Sequence, residues 1–206
     1  MASDIETNKA RFTKLLMDTG RENMDYVIED LEALGFFSAP ASVRNHDNFE
    51  GGLVQHSLDV YDTAVALREA LVKMNPDLEK ELPMESVTIA TLLHDVCKAD
   101  IYRKVIRSRK NEVGQYEKFE DYSYDYSDLP VGHGEKSVIR LLRSGLDLED
   151  NEILAIRWHM GPWEVDTSNR EQEGMYRQAQ LNSPLVGLVH HADSFSVVAL
   201  RPKTVN

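Results

Sequence analysis

The chain has 206 residues with 23 basic and 35 acidic side chains, a formal charge of −12. That length suits one domain with a substantial core, and the acidic balance argues against a surface that grips duplex DNA by neutralising phosphates. The single cysteine, Cys97, cannot form an internal disulfide, the start MASDIETNKARF lacks a basic-then-apolar leader, and no apolar run reaches bilayer length. Together these predict a cytoplasmic chain that is neither exported nor membrane-embedded.

Taken in order, apolar residues recur at helical spacing between Ile5 and Leu34, in two short helices stopped by Gly20 and Gly35. Residues Ser38 to Gly52, with Pro40, Asn45, Asp47, Asn48 and a Gly-Gly pair, read as a loop. A helix follows from about Leu53 to Met74, with Leu53, Val60, Ala64, Leu67 and Leu71 on one face. After Pro76 and Pro83, Ser86 is expected to cap a helix so rich in Val87, Ile89, Ala90, Leu92 and Leu93 that it should be buried on most sides. The stretch Ile101 to Leu129 alternates polar with β-branched or aromatic residues around Asn111 and Gly114, the pattern of a β-hairpin or flap. Helical spacing returns at Glu135–Arg143, at Asp150–His159 and from Ser183 to Leu200, where Ser183 and Pro184 make a good start. Met160 to Tyr176 is expected to be loop. The fold class is therefore all-α with a small β insertion near residues 101–129; residues 1–45 pack as N-terminal helices on a core spanning 51–199.

The strongest chemical signal is Leu92-Leu93-His94-Asp95-Val96-Cys97-Lys98, an apolar helix that ends in a histidine, an aspartate and a lysine. Imidazole and carboxylate are ligands suited to Mn, Fe, Co, Ni or Zn, and one carboxylate can bridge two ions. An aspartate buried there without compensation costs several kcal/mol, which a divalent cation offsets. A bland reading, in which Asp95 pairs with Lys98 and His94 is a satisfied core histidine, suits an isolated pair equally well. Four further residues sit in comparable settings. His56 lies on the apolar face of its helix, His133 lies in Gly132-His133-Gly134-Glu135 at a helix mouth, and His159 ends a helix before Met160-Gly161-Pro162-Trp163. Asp193 falls inside the apolar stretch Val186 to Ala192, where an unpaired carboxylate is costly. His190, three residues before Asp193, is an alternative ligand or a supporting partner.

In this order the residues resemble the HD-domain superfamily, whose members carry a histidine, an adjacent His-Asp and a distant aspartate on a helical bundle around metal. His56, His94, Asp95 and Asp193 match those positions, and the resemblance covers roughly Gly51 to Ala199. His133 and His159 make it similar to the two-metal branch of phosphohydrolases and a smaller set of di-iron oxygenases. The intervals of 38, 26 and 34 residues between Asp95, His133, His159 and Asp193 let a separate helix supply each ligand. The expected ligand set is His56, His94, Asp95, His133, His159 and Asp193, holding two divalent transition-metal ions with Asp95 bridging. The implied activity is hydrolysis of a small phosphorylated substrate such as a nucleotide by a metal-activated hydroxide. Asp95 and Lys98 are the catalytic candidates, and Lys98 and Trp163 the substrate-binding ones. Two competing readings use the same ligands: a di-iron oxygenase, and a sensor in which the metal is only a structural clip. Glu135 is a candidate for proton transfer or a plain helix-start carboxylate; the tyrosines of the 101–129 segment carry no assigned role.

Overall fold

The computed structural model describes residues 5–43 and 47–200, so Asn45 of the expected loop and the first four residues of the acidic start lie outside the described residues. Helices α1 (Ile5–Met17) and α2 (Met24–Leu34) come first, and Gly35 ends α2 in the left-handed conformation at φ 80°, as its position predicts. Phe12 of α1 meets Phe36 and Phe37 with ring centroids 5.1 and 5.5 Å apart, an aromatic knot behind α2 that seats both helices on the common apolar core.

That core is organised around α3 (Gly52–Met74), α5 (Met84–Leu93) and α10 (Pro184–Leu200), with the short α4 (Leu78–Glu81) joining the first two. Every residue of α5 from Ser86 to Leu93 is buried, which is why its sequence shows no polar face. Ser86 does not cap it. The helix starts earlier, after Pro83, and Ser86 lies inside its buried first turns. The reason is that Pro83 is preorganised to precede a helix without losing a needed donor.

After α5 the chain makes a tight turn through His94–Cys97 into α6 (Lys98–Ile101), then an antiparallel hairpin of β1 (Tyr102–Lys110) and β2 (Tyr116–Tyr124), in register from Tyr102↔Tyr124 to Lys110↔Tyr116. Its base packs through Ile101, Tyr102 and Tyr122 against Val43, whereas its outer half is solvated and laced by Arg107–Asp121 and Arg109–Glu117 pairs. Helices α7 (His133–Arg143) and α8 (Asp150–Arg157) follow. The segment expected as loop after His159 instead holds a 3-10 turn, Gly161–Glu164, and α9 (Arg170–Asn182). Asn169 caps α9, its side chain accepting from the backbone N–H groups of Glu171 and Gln172. That helix is strongly polar and packs only through a short stripe including Tyr176 and Ala179, so its apolar periodicity is faint. Among the described residues no helix is long and apolar enough to cross a membrane.

One buried ion pair ties these pieces together. Arg21, in the turn between α1 and α2, donates through two nitrogens to the fully buried Glu152 of α8 at 2.8 and 3.1 Å, and through Nε to Glu85 of α5 at 2.6 Å. Glu152 also accepts from the Glu149 backbone N–H, closing a capping box on α8. Removing one partner of a buried pair strands the other charge. Arg21→Met is therefore expected to destabilise the fold by about 3 kcal/mol in urea unfolding, and an unchanged midpoint would contradict this account.

Candidate metal centre

The six residues singled out from sequence come from five places and converge on one carboxylate. His56 projects from α3, His94 and Asp95 follow α5, His133 opens α7, His159 follows α8, and Asp193 lies on α10. Asp95 is 1% exposed and its Oδ1 is approached by His133 Nε2 at 2.9 Å and His159 Nε2 at 3.4 Å. Its Oδ2 faces His94 Nε2 at 3.1 Å, Lys98 Nζ at 2.5 Å and His56 Nε2 at 3.6 Å. Asp193 Oδ1 lies 3.2 Å from His56 Nε2. The two carboxylate oxygens of Asp95 thus divide the histidines into two pairs, His56 with His94 and His133 with His159, and all six residues are brought together.

Local backbone fixes how the rings face. His94 Nδ1 donates to the Thr91 carbonyl and His159 Nδ1 to the Ile156 carbonyl, each at 2.7 Å. A carbonyl can only accept, so Nδ1 carries the proton, and a neutral ring presents a bare lone pair at Nε2. Both Nε2 atoms are buried without a hydrogen-bond partner and both point at a carboxylate, which is also an acceptor. Lone pairs facing lone pairs across 3 to 3.5 Å need a cation between them, and a carbonyl-anchored histidine is the usual way to present one. The donor set therefore fits a divalent transition metal.

Two glycines make the convergence sterically possible. A Cβ on Gly134 would sit 2.3 Å from the Arg157 carbonyl oxygen, so only glycine lets α7 lie against the end of α8 and bring His133 within 5.5 Å of His159, centroid to centroid. Gly161 has φ 59°, and a Cβ there would strike the His190 ring at 2.5 Å. His190 itself donates from Nδ1 to the His159 carbonyl at 2.8 Å, so it braces the turn that carries His159. His191 is exposed. Glu135 pairs with Arg157, consistent with the plainer of its two readings, while Glu164 accepts from the His133 backbone N–H at 3.1 Å. Lys98 is buried on Asp95, and the flap cations Arg103 and Lys104 are engaged with Asp125 and Glu50.

Burial alone would lift the Asp95 carboxyl, but Lys98 and then His94 hold it well below the usual range. Burial would likewise depress the Lys98 ammonium, and Asp95 outweighs it and raises the pKa. His94 is pushed down by burial. His56 is held up at about 9, because the carboxylates of Asp193 and Asp95 outweigh the cost of burying its charge. A residue missed from sequence also joins the cluster: Cys97, read there only as evidence against disulfides, lies beside Asp95 and His133. The HDVCK stretch held the signal, since a cysteine two residues past a ligand is itself a candidate donor.

Over the cluster opens a cleft of about 360 Å³ with Lys98, His133, His159 and Asp193 at its floor. Tyr102 and Tyr124 of the hairpin, Val197 and Val198 of α10 and Trp163 form its walls. Trp163 is 84% exposed, an unusual state for an indole and one that leaves its face free at the cleft mouth. A cavity of about 520 Å³ near α1 and α2 has no histidine in its lining and lies away from this chemistry.

A helical bundle whose buried histidines surround one carboxylate is the class of protein that fold and cluster define. The chain belongs to the HD-domain family, whose sequence pattern matches residues 53–197. It is also similar to a dihydroneopterin 2',3'-cyclic phosphate phosphodiesterase from Methanocaldococcus jannaschii, 27% identical over 93 residues. That similarity covers 45% of this chain and only 34% of the relative. No solved structure matches the chain at a comparable level of significance.

The raised His56 has a consequence for the metal-free protein. Its contribution to stability is complete below its ordinary value of 6.5 and is lost as pH climbs through about 9. Chelated protein is expected to melt at falling temperature across that interval. Metal affinity rises over the same interval, because a ligating imidazole must shed its proton. Differential scanning calorimetry in chelator would refute the account if the melting temperature stayed flat.

Proposed function

We propose that the chain is a metal-dependent phosphohydrolase acting on a small phosphate ester, with a nucleotide-like compound as the preferred class. The observation that carries this reading is the pair of bare, carbonyl-anchored Nε2 atoms aimed at the two oxygens of one buried aspartate, beneath a cleft that also holds a lysine. In this reading His56, His94, Asp95 and Asp193 hold one divalent ion, and Asp95, His133 and His159 hold a second. Ions so held supply Lewis acidity and acidify water at neutral pH.

The protein's own groups do the rest. Lys98 is charged by virtue of its contact with Asp95 and borders the cleft, so its ammonium orients the phosphate and offsets charge as the ester bond breaks. Tyr102, Tyr124 and Trp163 line the cleft with aromatic surface suited to the organic part of the substrate, and the relative is named for a dihydroneopterin 2',3'-cyclic phosphate, a small phosphate ester. Val197 and Val198 of α10 give one side of the cleft an apolar surface. An acidic chain with a cleft of this size suits a small ester better than a polymer.

The test is release of phosphate or nucleoside monophosphate from a panel of nucleotides and cyclic phosphodiesters with Mn, Co, Ni or Fe(II), against a chelator control. Asp95→Ala is expected to abolish both metal binding and turnover, and Lys98→Ala to lower kcat about 100-fold with metal binding retained. Normal turnover in Asp95→Ala ends the proposal. Oxygen consumption by the iron-loaded protein without phosphate release would replace it with the di-iron oxygenase reading.

A further inference from the structure

Cys97 is buried, 1% exposed, and is the sole cysteine of the chain. Its Sγ, a ring nitrogen of His133 and a carboxylate oxygen of Asp95 lie within 4.8 Å of one another. Donors sharing one tetrahedral ion sit about 3.5 Å apart, given metal–sulfur and metal–nitrogen bonds of about 2.3 and 2.0 Å. Closing the cluster onto an ion therefore takes side-chain movements of about 1 Å. Cys97 has room for this, because it and His133 share the wall of a small cavity of about 190 Å³.

A further observation points to an ion at the same place. His133 Nε2 and His159 Nε2 approach a single oxygen, Asp95 Oδ1, and the His159 atom is fully buried with no hydrogen-bond partner. The Cys97 backbone N–H donates to Ser137 Oγ of α7 at 3.1 Å, which pins Cys97 to the helix that His133 begins. The turn that carries Cys97 is thus tied through its backbone to the helix that carries His133.

We infer that Cys97 is a sulfur donor to the second ion position, joining Asp95, His133 and His159, and that it makes this position selective for thiophilic divalent ions. This rests on the reading of the cluster as a metal centre. Coordination replaces the thiol proton, which leaves to solvent, and the resulting thiolate favours Co2+, Zn2+, Fe2+ or Cd2+ over Mg2+ and Mn2+. The position formed by His56, His94 and Asp193 has no sulfur and lacks this bias.

The experiment is a titration of the full, metal-free chain with Co2+, followed by absorption spectroscopy. Wild-type protein is expected to develop a sulfur-to-cobalt charge-transfer band as the second equivalent binds. Cys97→Ser and Cys97→Ala are expected to lack the band while keeping the weaker d–d absorption. In competition, the variants should lose about tenfold in affinity for the second Co2+ or Cd2+ and far less for Mn2+. Cobalt binding by the wild type without a charge-transfer band would overturn the role of Cys97 and leave the metal centre standing. Failure of Co2+ to bind at all would overturn both. The wild-type spectrum decides the matter even if a variant folds poorly.

Discussion

A carboxylate buried at the meeting point of four imidazoles and an ammonium sets the terms for the rest of this molecule. Asp95 is taken out of water almost completely, and an isolated charge in that position would cost several kcal/mol. Lys98 matches one of its oxygens, yet the Nε2 atoms of His94 and His159 still face it as acceptors. The bland reading of the His-Asp pair is therefore half right. Asp95 does pair with Lys98, but that pairing leaves the imidazoles unaccounted for, and a divalent ion accounts for them.

Much of the scaffold follows from holding those rings still. Each of His94 and His159 is anchored through the carbonyl three residues earlier, at a helix end whose last carbonyls lack intrahelical partners. His133 opens its helix instead, and it is held by Glu164 at its backbone N–H, by Cys97 at its ring and by the glycine-permitted contact of α7 with α8. The buried stretch Ser86–Leu93 of α5 and the Arg21 bridge from Glu85 to Glu152 fix the relative positions of α5 and α8. Rigidity there is useful because imidazole donors need placement to within about 0.5 Å to keep a coordination geometry.

The walls of the cleft are built on different terms from its floor. The floor comes from helix ends, whereas the walls come from the hairpin base, the 3-10 turn after His159 and the exposed end of α10. The family match spans both, since residues 53–197 include the helix ends of the floor and most of the wall residues. Aromatic faces at Tyr102, Tyr124 and Trp163 are what the cleft offers a ligand's organic part, and they motivate the nucleotide-like assignment.

The helical architecture and the hairpin were legible in the sequence because each rests on local information, whereas the six site residues, each with a bland local explanation, stood out through their order along the chain and the resemblance that order carries. Helical periodicity, a Gly stop, a polar–aromatic alternation and a charged residue set in an apolar stretch are all read within a few positions of the chain. The faintly amphipathic α9 escaped because a helix that buries only a narrow stripe leaves little periodicity, and the start of α5 was displaced by a proline effect that competed with a plausible serine cap. Only tertiary structure decided which ring nitrogen faces Asp95, that Lys98 binds that carboxylate, that Arg21 reaches Glu152 across the bundle, and that Cys97 stands beside His133. The Arg21–Glu152 and Cys97–His133 contacts join residues tens of positions apart and are set by how closely helices pack, while the Lys98 contact and the ring orientation lie within one turn but depend on the exact backbone at the end of α5; local pattern records neither.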